Sequence, residues 1–346
     1  MQRTEKSKIL LIYTGGTIGM SRNFETGALE PFNFNNIAQH IPELKQIPVK
    51  ITIFEFEQII DSSEMNVEYW QKIADKIFAQ YQDYDGFVVL HGTDTMAYTG
   101  SALSFMLQNL TKPIILTGSQ LPVGDLRTDA KENLISSIYF ASLKNELGES
   151  QIQEVAIYFE YKLYRANRAT KINANHFDAF DSPNFPPLGE SGITMEVNEH
   201  LLLKKKPSQE LKYYRDMSSQ VMLIKIFPGM QEEILLHLLE SSKIQCLLVE
   251  AYGSGNIFNY PKFFKALEKK INKGMYIIIL SQCVGGSVSL GKYGSSKKWQ
   301  EIGAISGKNM TTEAALVKSM HLLAKAENHT NFKLDFTKNL FGECFE

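Results

Sequence analysis

The stretch that decides the fold is Gly86–Leu107, GFVVLHGTDTMAYTGSALSFML. Phe87–Leu90 is a run of branched and aromatic residues, as a strand buried on both faces requires. From Met96 onward, Met96, Leu103, Phe105, Met106 and Leu107 gather toward one side with small residues between them, which predicts a helix. His91-Gly92-Thr93-Asp94-Thr95 separates the two. In open α/β sheets, ligands bind where the carboxyl ends of strands meet helix N-termini, and this polar pentad falls there. Gly92 lets the backbone turn sharply, and Thr93 and Asp94 stand beside helix N–H groups that favour negative charge. Thr and Asp are also ordinary capping residues. A cap needs one of them, whereas four polar side chains are crowded here into five positions, so the pentad is read as a site ahead of a cap.

The 346 residues suit about two domains, each able to bury its own core. A net charge of −2 leaves no footprint for nucleic acid or an anionic membrane, and Lys204-Lys205-Lys206 reads as a solvated turn. Cys246, Cys283 and Cys344 are far apart, odd in number and without metal-ligand spacing, which suits a reducing compartment. The chain enters a strand almost at once, with no charged-then-apolar leader. No apolar run approaches the roughly 18 residues of a membrane span. The expectation is a cytoplasmic protein with no metal and neither nucleic-acid nor membrane partners.

Lys8–Tyr13 (KILLIY) is a first buried strand, broken abruptly by Thr14-Gly15-Gly16-Thr17, whose glycines let a small hydroxyl project at the strand's end. A nucleotide cradle would want Lys-Ser/Thr after the glycines, or a third glycine in dinucleotide register, and has neither. Met20–Glu30 reads as a mobile, lid-like loop. Val49–Phe56 is a second strand, ending at Asp61-Ser62-Ser63-Glu64, a cluster suited either to a zwitterion or to capping the next helix. That helix is predicted from about Asn66 to Gln82, its core stripe being Val67, Trp70, Ile73, Ile77 and Tyr81. Pro113–Leu116 is another strand, followed by Thr117-Gly118-Ser119-Gln120. Asp129 and Glu132 have capping-box spacing for a helix ending near Leu143. Val155–Tyr161 leads into Arg165–Lys171, basic and aperiodic, read as a solvated loop from which at least one cation could point back to the pentad. Irregular, turn-rich sequence follows, so residues 1–190 are read as an N-terminal catalytic domain, 191–219 as linker and 220–346 as a C-terminal domain. In the last, strands Val221–Phe227, Cys246–Glu250 and Tyr276–Leu280 alternate with helices Glu232–Glu240, Phe263–Ile271 and one near Ala314–Ala324, which means a parallel sheet.

Thr17, Thr93, Asp94 and Lys171 all follow predicted strands of the first domain. A threonine hydroxyl is a poor nucleophile until a neighbouring base takes its proton. A lysine can be that base if burial or nearby charge disfavours its ammonium form, or if a second hydroxyl relays the proton. Asp94 would orient Lys171 while favouring the charged form, so its two effects oppose each other. The chain carries no paired-His metal motif, Gly-x-Ser-x-Gly elbow or Cys-His signature.

TGGTIGM (Thr14–Met20), HGTDTMAYT (His91–Thr99), TGSQLP (Thr117–Pro122) and LYRANRATK (Leu163–Lys171) together resemble the bacterial type I, cytoplasmic L-asparaginases. The likeness is strongest over residues 8–190 and continues through FPG, YGSGN and LSQC in the second half. The resemblance implies a larger N-terminal α/β domain with a mostly parallel, flavodoxin-like sheet and a smaller C-terminal parallel α/β domain. It also implies assembly as dimers or dimers of dimers, and hydrolysis of L-asparagine to L-aspartate and ammonia without metal or cofactor. Thr17 matches the family's nucleophile, which forms an acyl-enzyme. Thr93, Asp94 and Lys171 match its proton relay, with N–H groups near Thr93 stabilising the oxyanion. Asp61, Ser62 and Ser63 match the segment that grips the substrate's α-carboxylate and α-amine, with Thr93 and Asp94 beside them. Asn256 fits an asparagine contributed by a neighbouring subunit. Two departures stand out. Many relatives carry a lid tyrosine where this chain has Ala28, for which Tyr293 is a candidate substitute hydroxyl. The family's allosteric arginine is here Glu250, although Thr170 and Cys283 of that site are kept, which implies little activation by asparagine. Two readings of other classes are an ammonia-supplying component of a tRNA-dependent amidotransferase, which wants an added N-terminal domain, and a non-catalytic amino-acid sensor.

Overall fold

The structure, a computed structural model, describes residues 6–22, 26, 29–31, 37–203, 209–291, 294–325 and 329–345. Lys204-Lys205-Lys206, Ala28 and Tyr293 lie outside the described residues. The chain divides into two compact units, Met1–Arg215 and Asp216–Glu346.

In the first unit, β1 (Lys8–Tyr13), β2 (Lys50–Glu55), β3 (Gly86–Leu90), β4 (Ile114–Thr117) and β5 (Val155–Phe159) pair in parallel in the order β2-β1-β3-β4-β5. This is the flavodoxin-like order, whose reversal on either side of β1 opens a crevice at the carboxyl ends of β1 and β3. The central strands are apolar throughout because both faces are covered. Ile9, Leu11, Val88, Leu90 and Ile115 pack with Leu134 and Ile138 of helix Ala130–Ser142. Phe87 faces the other way and stacks on Tyr81 with ring centres 5.8 Å apart.

Beyond β5 the sheet turns antiparallel through β6 (Lys162–Arg165), β7 (Gly189–Ser191) and β8 (Met195–Val197). The run expected to continue to Tyr161 instead reverses at Glu160 (φ 44°) and Tyr161 (φ 68°), a left-handed pair that closes a tight hairpin without a glycine. The boundary expected after residue 190 falls within β7, so residues up to Val197 belong to the large sheet rather than to a linker. The stretch expected as a lid-like loop carries a short antiparallel pairing, Met20–Arg22 with Leu29–Pro31.

The basic segment expected as solvated is partly buried, for a local reason. Arg165 donates through Nε to Glu154 Oε2 (2.5 Å) and through Nη2 to Glu154 Oε1 (3.3 Å) and Leu201 O (2.7 Å). Both Arg165 and Arg168 lie over the Phe185 ring, 4.5 and 5.2 Å from its centre. The capping box also differs. The Asp129 carboxylate turns inward to the amides of Gln120 (2.9 Å) and Leu121 (3.1 Å), and Thr128 Oγ1 accepts from Ala130 N (3.0 Å) instead. Glu132 accepts from Ser136 Oγ (2.6 Å) and Tyr158 OH (3.0 Å).

In the second unit, β9 (Val221–Lys225), β10 (Cys246–Ala251), β11 (Tyr276–Ser281) and β12 (Ile305–Ser306) form a parallel sheet in chain order. Helices Glu232–Leu238 and Pro261–Ile271 cover one face, and Thr312–Lys325 and His329–Thr337 the other. The helices Gly294–Glu301 and His329–Thr337 and the strand β12 were not anticipated from sequence. Lys318 and Glu343 form a fully buried ion pair that pins the C-terminal segment. Among the described residues no helix is long and apolar enough to cross a membrane.

Breaking a buried pair leaves an uncompensated charge, at a cost of roughly 3–5 kcal/mol. Glu154→Gln is expected to lower the stability of the first unit by about that much, read from the urea midpoint at constant slope. A loss below about 1 kcal/mol would show that Arg165 does not depend on that carboxylate.

Candidate active site

Three turns meet at the carboxyl ends of β1, β2 and β3. Thr14 sends both its amide (3.1 Å) and its hydroxyl (2.8 Å) to Leu90 O at the end of β3, and its carbonyl accepts from Ile60 N (2.9 Å) just before Asp61. Gly16, at φ +89°, lies so close to the next turn that a Cβ there would be 2.6 Å from Gly92 N. A Cβ on Gly92 would in turn stand 2.4 Å from Ser62 Oγ. Thr95 Oγ1 then ties the third turn to the second by donating to Ser62 O (2.7 Å). Half-buried Thr17 opens the single turn Thr17–Gly19, immediately after the Gly16 contact, and Thr93 immediately follows Gly92.

No side chain of the pentad caps the following helix at Gly92 or Thr95. Lys171 Nζ donates to Thr93 Oγ1 (2.8 Å) and to Asp94 Oδ1 (2.7 Å). Thr93 Oγ1 donates to Gln120 Oε1 (3.2 Å), and the Gln120 amide nitrogen is anchored on the carbonyls of Ala174 (3.2 Å) and His176 (2.9 Å). That anchorage fixes the amide oxygen toward Thr93, so the threonine proton points to Gln120 and the lysine is the donor to threonine. Lys171 reaches the cluster from β6 by way of the turn Ala166–Arg168 and the two-residue pairing of Thr170–Lys171 with Phe180–Asp181. Its side chain is 17% exposed and that of Asp94 63%, so the cluster is closed on the lysine side and open on the aspartate side.

One pentad side chain, that of His91, faces inward. His91 Nδ1 lies 2.7 Å from Gly92 O and must donate to it, so Nε2 accepts from Thr99 Oγ1 (2.8 Å), which accepts from Trp70 Nε1 (3.0 Å). Complete burial pushes His91 down to about 4, and it is a neutral strut at physiological pH. Asp61 accepts from Ser63 N (2.9 Å), which holds its carboxyl below the usual range. It caps its own turn and not the next helix, where Asn66 accepts from Glu68 N (3.0 Å) and Tyr69 N (3.3 Å). Ser62 is buried, while Ser63 and Asp61 are exposed.

Sequence reading missed Thr14 and Gln120 as members of this architecture. Gln120 stood in a polar run after a strand, but nothing local marks which way an amide faces. The remaining expected residues lie as follows. Thr170 is half-buried beside Lys171. Asn256 pairs backbone to backbone with Tyr252, its amide 2.8 Å from Tyr252 O. Glu250 accepts from Thr312 Oγ1 (2.6 Å) and stands 3.9 Å from Lys225 Nζ. Cys283 is exposed at the end of β11, its amide donating to Ser281 Oγ (3.0 Å). Among the described residues, no group of three or more His, Cys, Asp or Glu is placed to hold a metal ion.

Fold and site together define a two-unit α/β protein with a hydroxyl–ammonium–carboxylate cluster at the switch point of its larger sheet. Residues 8–203 match the family described as "Asparaginase, N-terminal", and residues 220–334 the "Glutaminase/Asparaginase C-terminal domain". The chain belongs to the asparaginase family. It is 38% identical to L-asparaginase 1 of Escherichia coli K12, covering 98% of each chain. It is 35% identical to the mouse 60 kDa lysophospholipase over 97% of this chain and 62% of that protein. The crystal structure of L-asparaginase I from Vibrio cholerae superposes with a TM-score of 0.89 at 37% identity, covering 99% of this chain and all of that one.

His91 carries a pH prediction. Its folded value of about 4 lies below the ordinary 6.5, so between those values the unfolded chain binds the extra proton. The stabilisation is full above about pH 6.5 and lost as pH falls toward 4, on the order of 3 kcal/mol. His321, buried and pushed down to about 3, acts in both proteins and drops out of a comparison. Tm is therefore expected to fall more steeply with acidification in wild type than in His91→Gln, and parallel curves would refute the assignment.

Proposed function

We propose that this protein is an L-asparaginase, hydrolysing L-asparagine to L-aspartate and ammonia, with Thr17 as nucleophile and Thr93, Lys171 and Asp94 as proton relay. The observation that carries the reading is the Lys171 ammonium bonded to both Thr93 and Asp94, on a turn packed through Gly92 against the turn of Thr17. In acylation the Thr17 oxygen bonds to the side-chain amide carbon, the C–N bond breaks, and the threonine proton leaves on ammonia. In deacylation water bonds to that carbon, the ester to Thr17 breaks, and a water proton returns to Thr17. Lys171 first gives a proton to solvent on the open Asp94 side, Thr93 then accepts from the attacking water as its own proton passes to Lys171, and solvent returns one proton to the Thr17 oxygen. Acid–base help of this kind is worth about 10²–10⁴-fold.

Asp61, Ser62 and Ser63 hold the α-carboxylate and α-amine, with Thr93 and Asp94 alongside. The first unit carries the chemistry, and residues 220–346 supply Asn256 to a neighbouring subunit in a dimer or dimer of dimers. Tyr293 serves in place of a lid tyrosine at Ala28. A cytoplasmic location fits three cysteines, Cys246, Cys283 and Cys344, that form no disulfide with one another. A relative named L-asparaginase 1 at 38% identity over nearly the whole chain supports the activity.

Thr17→Ala is expected to abolish ammonia release from asparagine while leaving the circular dichroism intact. Retained turnover would move the nucleophile elsewhere, and no release by the purified wild type would favour an amidotransferase component or a sensor. Glu250, standing where the family's allosteric arginine would be, is a carboxylate already held by Thr312 and would repel an effector's own carboxylate. The rate is therefore expected to be hyperbolic in asparagine concentration, and a sigmoidal curve would overturn that expectation.

A further inference from the structure

Gly100 lies within the helix Met96–Met106, which follows directly on the turn of Thr93 and Asp94. Its bare Cα faces Ala166, the first residue of the turn that leads to Lys171. A Cβ on Gly100 would stand 2.8 Å from Ala166 Cβ and 3.5 Å from Ile157 Cδ1 beneath it on β5. Carbon atoms in contact rest at roughly 3.5–4.0 Å, so helix and turn would have to part by about 1 Å. Neither side yields easily. Ala166 and Ile157 are fully buried, and the turn is held from behind by the Arg165–Glu154 pair. One half of the relay rides on the helix and the other half on the turn. We infer that Gly100 and Ala166 form a matched small pair that sets Lys171 against Thr93 and Asp94, making both positioning residues for the reaction. This rests on the relay roles proposed above.

The test is a size swap: Gly100→Ala, Ala166→Gly and the double variant, assayed well below Tm for ammonia release from asparagine. Gly100→Ala is expected to lower kcat roughly 10- to 100-fold, in line with the effect of an ångström-scale misplacement. KM should stay within about threefold, and the pH profile of kcat should be displaced. The double variant, in which the added methyl meets a hydrogen, is expected to recover kcat and its pH profile to within about threefold of wild type. A Gly100→Ala enzyme with lowered Tm but unchanged kcat and pH profile would reduce the contact to packing and overturn the inference. If that single variant does not fold, the double variant decides, and a loss above tenfold in it overturns the inference. Absence of turnover in wild type would instead sink the proposed function. In that event a crystal structure of Gly100→Ala still decides the positioning: Lys171 Nζ beyond hydrogen-bond distance of Thr93 Oγ1 is expected, and an unchanged distance refutes it.

Discussion

The contact on which the site depends is backbone against backbone, Gly16 on Gly92. Neighbouring strands in a sheet run about 4.8 Å apart, and at a switch point the chains leaving them would ordinarily diverge to opposite faces. Here they stay together because Gly16 carries no Cβ at the point of approach. Their polar groups find partners in the same place, since Thr14 places two donors on Leu90 O and its own carbonyl under Ile60 N. A turn whose backbone is both buried and satisfied has few alternatives available to it. The threonines at 17 and 93 are each one residue beyond the contact, and on the proposed mechanism groups held this way need little rearrangement to react.

The charges are arranged with the same separation of scaffold and function. Arg165 is paired to Glu154 and buried, and His91 is held neutral, so the scaffold around the cluster contributes little uncompensated charge. Asp94 differs from those groups in facing an open side, where its exposed carboxylate is within reach of a second cation.

Much of this was legible in the chain. Continuous apolar runs betrayed the parallel strands, and four polar residues crowded into the His91–Thr95 turn marked where Lys171 joins Thr93 and Asp94. What escaped depended on partners distant in sequence. Arg165 and Arg168 look solvated until Glu154 and Phe185 are beside them. The Asp129–Glu132 spacing satisfies a capping pattern, yet two amides of the preceding turn draw Asp129 inward. Glu160–Tyr161 makes a left-handed hairpin turn with none of the residues that usually announce one. In the second unit, the helix Gly294–Glu301 carries little apolar periodicity and is seated by Trp299, whose indole donates to Gly255 O (3.1 Å).

The direction of the hydrogen bonds in the resting site constrains how a relay can begin. With the Gln120 amide anchored on Ala174 and His176, Thr93 donates to it and Lys171 donates to Thr93. The lysine nitrogen therefore faces Thr93 as a donor, the wrong arrangement for a base, and Asp94 at 2.7 Å holds it in that orientation. A second cation at the exposed carboxylate would compete for that bond. On the proposed mechanism that cation is the α-ammonium of the substrate, approaching from the open side. A carboxylate shared between two donors holds Lys171 in place less firmly than one devoted to it alone. Recognition of an α-amino acid and release of the relay's base would then be a single electrostatic event, and the opposition between the two effects of Asp94 becomes the means by which binding is coupled to chemistry.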